Sequence, residues 1–141
     1  MGGWYAISVR QPWAALLAAG VKTVEVRTWP TRRRGPVLIH AARLPDPRPE
    51  GWACVTTRAL AAAAELRQGI IGAAELVGCV EYDTPERFAA DADRHRNAPG
   101  WFRPPRVYGL VLAAARPVAF YNIPGNTGFF RVENYPPAGG G

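Results

Sequence analysis

Ser8-Val9-Arg10-Gln11-Pro12-Trp13, followed by Gly20-Val21-Lys22-Thr23-Val24-Glu25-Val26-Arg27-Thr28-Trp29-Pro30, decides how this chain is read. Trp4 to Val9 alternates β-forming and small residues, and Pro12 stands where a first helical turn tolerates proline. The reading is therefore strand, short turn, helix. The helix is predicted over Trp13 to Ala19, closed by Gly20. Thr23 to Arg27 alternates with period 2, which puts Thr23, Glu25 and Arg27 on one face and Val24 and Val26 on the other. The valines are expected in the core. Glu25 and Arg27 are then expected to face solvent or a cleft, with Lys22 at the strand entrance.

Charge sharpens interest in this stretch. Residues 1 to 43 carry seven of the 17 cationic side chains against Glu25 alone, whereas residues 44 to 141 carry ten of each sign. The whole excess of +6 therefore lies in and beside the opening stretch. Such asymmetry points to a polyanionic partner, and to nucleic acid before a membrane because no basic amphipathic helix accompanies it. Sixteen of the 17 cations are arginine, so Lys22 is the only lysine. An ammonium has a shiftable pKa that a guanidinium lacks.

Working outward, Trp29-Pro30 breaks the strand. Thr31-Arg32-Arg33-Arg34-Gly35 reads as an exposed basic loop whose arginines are candidates for gripping a nucleic-acid backbone. Val37 to Ala41 is an apolar strand, and its His40 reads as a core or strand-end residue. Pro45 to Pro49 reads as a linker within the domain. Trp52 to Gln68 is expected to be one alanine-rich helix ended by Gly69, and Ile70 to Glu81 a strand bent at Gly72 or Gly78. Thr84 is the predicted N-cap of a helix running to about Arg94. Asn97 to Pro105 is a turn-rich segment whose Trp101 and Phe102 either stack a base or pack under the loop. Val107 to Ala114 is a strand that Pro117-Val118 continues after a break, and Phe129 to Glu133 is a short one. The loop Ile123 to Gly128 lacks the glycine order of a nucleotide-binding fingerprint.

The length of 141 residues suits one domain, expected over residues 1–134 with a flexible tail over 135–141. No apolar run is long enough for a membrane span and no signal peptide is visible, so the expectation is a cytoplasmic monomer. Cys54 and Cys79 match no metal spacing and read as small buried thiols; two separated histidines and scattered carboxylates form no ligand set, so no metal or cofactor is expected. Five or six short strands with two or three helices make an α+β architecture built on a small mixed barrel.

The opening residues also resemble the signature of the ASCH domain (activating signal cointegrator homology), Gly-x-Lys-x-x-Glu-x-Arg after the first helix, here Gly20, Lys22, Glu25 and Arg27. The resemblance continues through Trp29-Pro30, Gly35, His40-Ala41, Gly72 to Val80, Tyr108 to Pro117 and Ile123 to Phe130. It implies a PUA-like β-barrel with a cleft beside the first helix, lined by Ser8, Arg10, Gln11, Trp13, Lys22, Glu25, Arg27 and Trp29. Members of the wider superfamily bind RNA or modified bases. Some small bacterial members hydrolyse N4-acetylcytidine with a threonine, a lysine and a glutamate. Lys22 matches that lysine, Glu25 stands where those enzymes carry threonine, and the glutamate is left open among Glu86, Asp91 and Asp93.

Chemistry alone allows three uses of the set. In recognition, Arg10 and Arg27 meet phosphate or a carbonyl, Glu25 accepts from an exocyclic amine, and Trp13 or Trp29 stacks the base of RNA, single-stranded DNA or a modified nucleoside. In hydrolysis, by a metal-independent amidohydrolase or a ribonuclease-like enzyme, Lys22 or Glu25 serves as base, and the nucleophile it needs is left open between Thr23, on the same strand face, and Ser8, nearby in sequence order. In the third, Glu25 and its cations only satisfy one another.

Overall fold

A computed structural model describes residues 3–135. Six strands and five short α-helices follow in order: β1 (Trp4–Val9), α1 (Trp13–Ala18), β2 (Val24–Arg27), β3 (Gly35–Ala41), α2 (Pro49–Trp52), α3 (Arg58–Ala64), β4 (Gly69–Tyr82), α4 (Pro85–Ala90), α5 (Ala92–His95), a 3-10 turn (Pro99–Trp101), β5 (Val107–Asn122) and β6 (Phe129–Val132). The strands form one sheet in the order β2-β5-β4-β3-β1-β6. Only the β1–β3 pair is parallel among the described pairings. The sheet curls into a half-barrel, the α+β arrangement expected from the strand pattern.

α1 is the plug of the curl. All six of its residues are buried, and they pack with Ile7 and Val9 of β1, Val37, Ile39 and Ala41 of β3, and Leu110 and Leu112 of β5. A helix apolar all round is stable only when enclosed. The alternate residues Ala6 and Leu38 face the other side and join Ile70, Ala73 and Val132 in a second cluster. Burial on both faces explains why β3 reads as a continuous apolar run. α1 ends in a Schellman motif: Gly20, at φ +76°, donates to the Leu17 carbonyl, and the Val21 N–H bonds back to Leu16. This turn delivers Lys22 to the start of β2.

The curl brings the two ends of the sheet together. β2 and β1 are far apart in strand order, yet Arg27 donates to the Ser8 carbonyl at 2.9 Å. Trp29, just after β2, packs edge-on against Phe129 of β6 with ring centroids 5.7 Å apart. No strand pairing joins β2 to β6, so side chains bridge this seam.

Both long helices expected from composition are broken. Thr57 is extended and its hydroxyl accepts from the Leu60 N–H, starting α3 afresh after α2; capping here outweighs alanine propensity. Gly69 opens β4 rather than closing a helix, the turn before it being made by Gln68 at φ +56°. Thr84 caps α4 as expected, but Asp91 divides α4 from α5, and its carboxylate binds the Arg94 guanidinium and accepts from the Tyr82 hydroxyl. β5 runs without interruption to Asn122, absorbing the expected break at Ala114, which takes φ +52°. β4 shifts register between Ile70 and Gly72 and again between Leu76 and Gly78, next to both glycines expected to bend it. Cys54 and Cys79 are half-buried rather than buried. Tyr135, the first residue assigned to a tail, packs against Trp4 and Tyr121; residues 136–141 lie outside the described residues.

Candidate functional site

The seam opens into a cleft of about 410 Å³. β1 supplies Ser8 and, at its exit, Arg10; α1 supplies Trp13; β2 supplies Glu25 and Arg27; the loop after β2 supplies Trp29. The facing wall comes from residues far along the chain: Arg48 before α2, then Asn97, Trp101 and Arg103 around the 3-10 turn. Four arginines thus share one cavity with one carboxylate.

Glu25 is the hinge of the charge arrangement. It is 8% exposed, its Oε2 accepts from Arg27 at 3.1 Å, and its Oε1 lies 3.7 Å from Lys22 Nζ. Lys22 is 1% exposed and stands behind it, with the Trp13 ring 4.8 Å from its ammonium. It donates to the His95 carbonyl and, at 2.6 Å, to Asn97 Oδ1. Glu25, at ion-pair rather than hydrogen-bond distance, supplies the counter-charge. Burial pushes the Lys22 ammonium down to about 8, although the Glu25 charge opposes that shift. His95 is held below its usual range first by burial and in part by the Lys22 charge.

The second wall rests on Asp46, which no motif in the sequence marks. Its Oδ2 accepts from Trp13 Nε1 at 2.8 Å, and Arg48 grips both its oxygens at 3.0 Å. Burial alone would raise this carboxyl, but the hydrogen bonds from Arg48 and Trp13 win and hold it down to about 2. Arg48 lies 3.9 Å over the Trp101 ring, whose Nε1 donates to Glu50 at 3.0 Å. The Pro45 to Pro49 segment is therefore a wall of the cleft and not a passive linker.

The remaining predicted residues lie elsewhere. Gln11 is fully buried and directed away from the cleft: it donates to the Ala63 and Leu66 carbonyls and accepts from the Ala15 N–H, tying α1 to the end of α3. Thr23 is outside the cleft lining, and its backbone joins Arg94 and Leu112. Arg32, Arg33 and Arg34 are exposed beyond Trp29, where Arg33 and Arg34 line a shallower depression with Thr127 and Phe129. Arg33 stacks 3.8 Å over the Tyr5 ring, and Arg34 donates to the Thr31 and Arg33 carbonyls. Of the acids left open, Asp91 is held by Arg94 and Tyr82, and Glu86 and Asp93 are exposed. Among the described residues Glu25 is the only carboxylate within 4.0 Å of Lys22, and no cluster suited to a metal occurs. Trp101 was visible as an aromatic in a turn-rich segment; Arg48, Asn97 and Arg103 carried no local signal.

The curled six-stranded sheet with its flanking helices has the ASCH/PUA-like α+β fold. A model of the ASCH domain matches residues 7–118, and the chain belongs to that family. A 48-residue stretch is 52% identical to activating signal cointegrator 1 of Homo sapiens and 48% identical to that of Mus musculus. That stretch is 33% of this chain but 8% of the cointegrator, so the chain corresponds to a small part of those relatives. Among solved structures, ASCH from Zymomonas mobilis superposes with a TM-score of 0.62 at 16% identity, covering 93% of this chain and 88% of that one. Two of its single-residue variants give 0.66 and 0.65. At such identity the likeness is one of fold. No described helix is long and apolar enough to cross a membrane.

Proposed function

We propose that the seam cleft binds a base of RNA or single-stranded DNA, or a modified nucleoside. The observation that carries this reading is the lining itself: Trp29 and Trp101 offer aromatic faces, Arg10, Arg27, Arg48 and Arg103 offer guanidiniums, and Glu25 is the one acidic acceptor. Stacking on aromatic rings accommodates any base, a carboxylate accepts from an exocyclic amine, and guanidiniums meet phosphates or carbonyls. ASCH domains are in general associated with nucleic acid, which supports the same reading.

Hydrolysis of an N4-acetylcytidine-type nucleoside through Lys22 and Glu25 has less support. A base must meet the reacting group, and Lys22 is not among the residues lining the cleft: it stands behind Glu25 and donates to the His95 carbonyl and Asn97 Oδ1. Titrating intrinsic tryptophan fluorescence with a short single-stranded RNA and with free nucleosides tests the proposal. Saturable quenching, with RNA affinity falling as salt rises, is the expected result; no saturable binding to any of them would overturn it. Cytidine release from N4-acetylcytidine, lost in Lys22→Met, would establish the alternative instead.

A further inference from the structure

Ser8 lines a second cavity as well as the cleft. This one measures about 390 Å³ and is lined also by His40, Arg43, Gln68, Gly125 and Asn126. Ser8 and His40 are direct partners in the parallel β1–β3 register, on the face turned away from α1. Ser8 Oγ and His40 Nδ1 are 2.9 Å apart. On the other side of the ring, His40 Nε2 lies 2.6 Å from the Ile123 carbonyl oxygen.

The Ile123 carbonyl settles which nitrogen carries the proton. A carbonyl oxygen only accepts, so Nε2 donates, and in a neutral imidazole Nδ1 then presents its lone pair to the serine. Burial favours the neutral ring: His40 is 0% exposed and is held below its ordinary range by desolvation, against the opposing bond to Ile123. The serine hydroxyl is thus the donor. A hydroxyl hydrogen-bonded to a base that a third group orients is the arrangement that activates a nucleophile. Gly125 fits the same picture. A Cβ there would lie 2.8 Å from both Ser8 Oγ and His40 Cε1, so only bare backbone can pass this close to the pair. Ser8 is half-buried and its own carbonyl is pinned by Arg27, which fixes the strand from which Oγ projects.

We propose that Ser8 is a nucleophile with His40 as its general base, acting on a carboxylic ester or amide whose small acyl group is polar or anionic and enters beside Arg43. Ser8 Oγ bonds to the acyl carbon as its proton passes to His40 Nδ1. The bond to the leaving oxygen or nitrogen breaks, and that atom takes the proton from His40. Water then attacks the acyl-serine, giving its proton to His40, and Ser8 Oγ leaves and recovers it. The products are a carboxylic acid and an alcohol or amine, with no further reactant. Arg43, exposed at the rim, is the cation available to the developing oxyanion.

This inference is independent of what the cleft binds. Its test is reaction of the whole chain with an alkyl fluorophosphonate, which captures an activated serine with loss of fluoride, the site being mapped by peptide mass spectrometry. One adduct on Ser8 is expected, absent in Ser8→Ala and slowed about 100-fold or more in His40→Gln. No adduct, an adduct elsewhere, or an unchanged rate in folded His40→Gln would overturn the proposal. Should His40→Gln fail to fold, imidazole ¹⁵N shifts of the unmutated chain decide. A proton on Nδ1 rather than Nε2 would leave Ser8 without a base and would overturn it equally.

Discussion

Arg27 and Arg48, in the cleft, are each clamped to a buried carboxylate, Glu25 and Asp46 respectively. Arg32, Arg33 and Arg34, a few residues beyond Arg27, have no acidic partner within 4.0 Å among the described residues and project from an exposed loop. The same side chain thus serves two physical ends. A guanidinium held by a buried acid has given up its rotamer freedom during folding and presents its remaining donors in a fixed direction. A guanidinium on an exposed loop, even one that stacks on a ring as Arg33 does on Tyr5, has no carboxylate to fix it; its charge acts over about a Debye length and is screened by salt. On the proposed function, the cleft arginines would serve recognition and the loop arginines attraction. Each of the following measurements would break or sharpen that contrast.

The largest effect is expected inside the cleft wall. Lys22→Ala strips a buried charge from Glu25 and leaves the His95 carbonyl and Asn97 Oδ1 without their donor. We expect a loss of about 3–5 kcal/mol in denaturant unfolding. A change below about 1 kcal/mol would show that Lys22 does not hold this wall.

Next comes the pH dependence of stability. Lys22 falls from an ordinary value of 10.5 to about 8 in the folded chain. Between these limits the unfolded chain binds more protons, so stability rises with pH through that interval, by up to about 3 kcal/mol. Below about 8 both states are protonated and the burial cost is present in full. Unfolding of the unmutated chain and of Lys22→Met, compared from about pH 7.5 to 10, isolates the contribution. Absence of the extra slope in the unmutated chain would contradict the burial of a charged lysine.

Binding separates the two regions further. Arg27→Ala is expected to weaken a free nucleoside and a short RNA alike, by about tenfold or more, since a charge-assisted hydrogen bond is at stake. Unchanged nucleoside affinity would remove Arg27 from the site. The smallest effect on the fold belongs to the loop. Replacing Arg32 or Arg34 by alanine should shift stability by no more than about 0.5 kcal/mol, and replacing Arg33, which stacks on Tyr5, by no more than about 1 kcal/mol. Together these changes should flatten the salt dependence of RNA binding while sparing the free nucleoside. Equal loss for both ligands would mean that the loop belongs to the recognition site after all.

How far the sequence foretold this arrangement varied with the range of the interaction. The alternation of Val24, Glu25, Val26 and Arg27 was enough to aim Glu25 and Arg27 together, because side-chain direction in a strand is set by backbone geometry alone. Of the two valines expected in the core, however, only Val24 is buried there, while Val26 is half-buried and also lines the cleft. The Thr84 cap and the Gly20 turn were legible for the same local reason. The helix expected over Trp52 to Gln68 failed because a single Thr57 hydroxyl outweighed composition, and the one after Thr84 was cut where Asp91 met Tyr82 and Arg94. Gln11, beside Arg10 in sequence, looked equally available to a ligand, yet its side chain is spent on α3.

The sequence by itself determined the strand–helix–strand opening, the faces of β2, the concentration of cationic charge and the ASCH signature, all of which depend on residues within a few positions of one another. Tertiary structure alone decided that Lys22 is enclosed rather than offered, since its two acceptors come from His95 and Asn97, far along the chain, and its counter-charge from Glu25. It alone brought Arg48, Trp101 and Arg103 opposite β2 and set Ser8 against His40 across the parallel pair. The physical reason is the curl of the sheet. Its closure joins strands distant in order, and no local pattern encodes which side chains then meet across the seam.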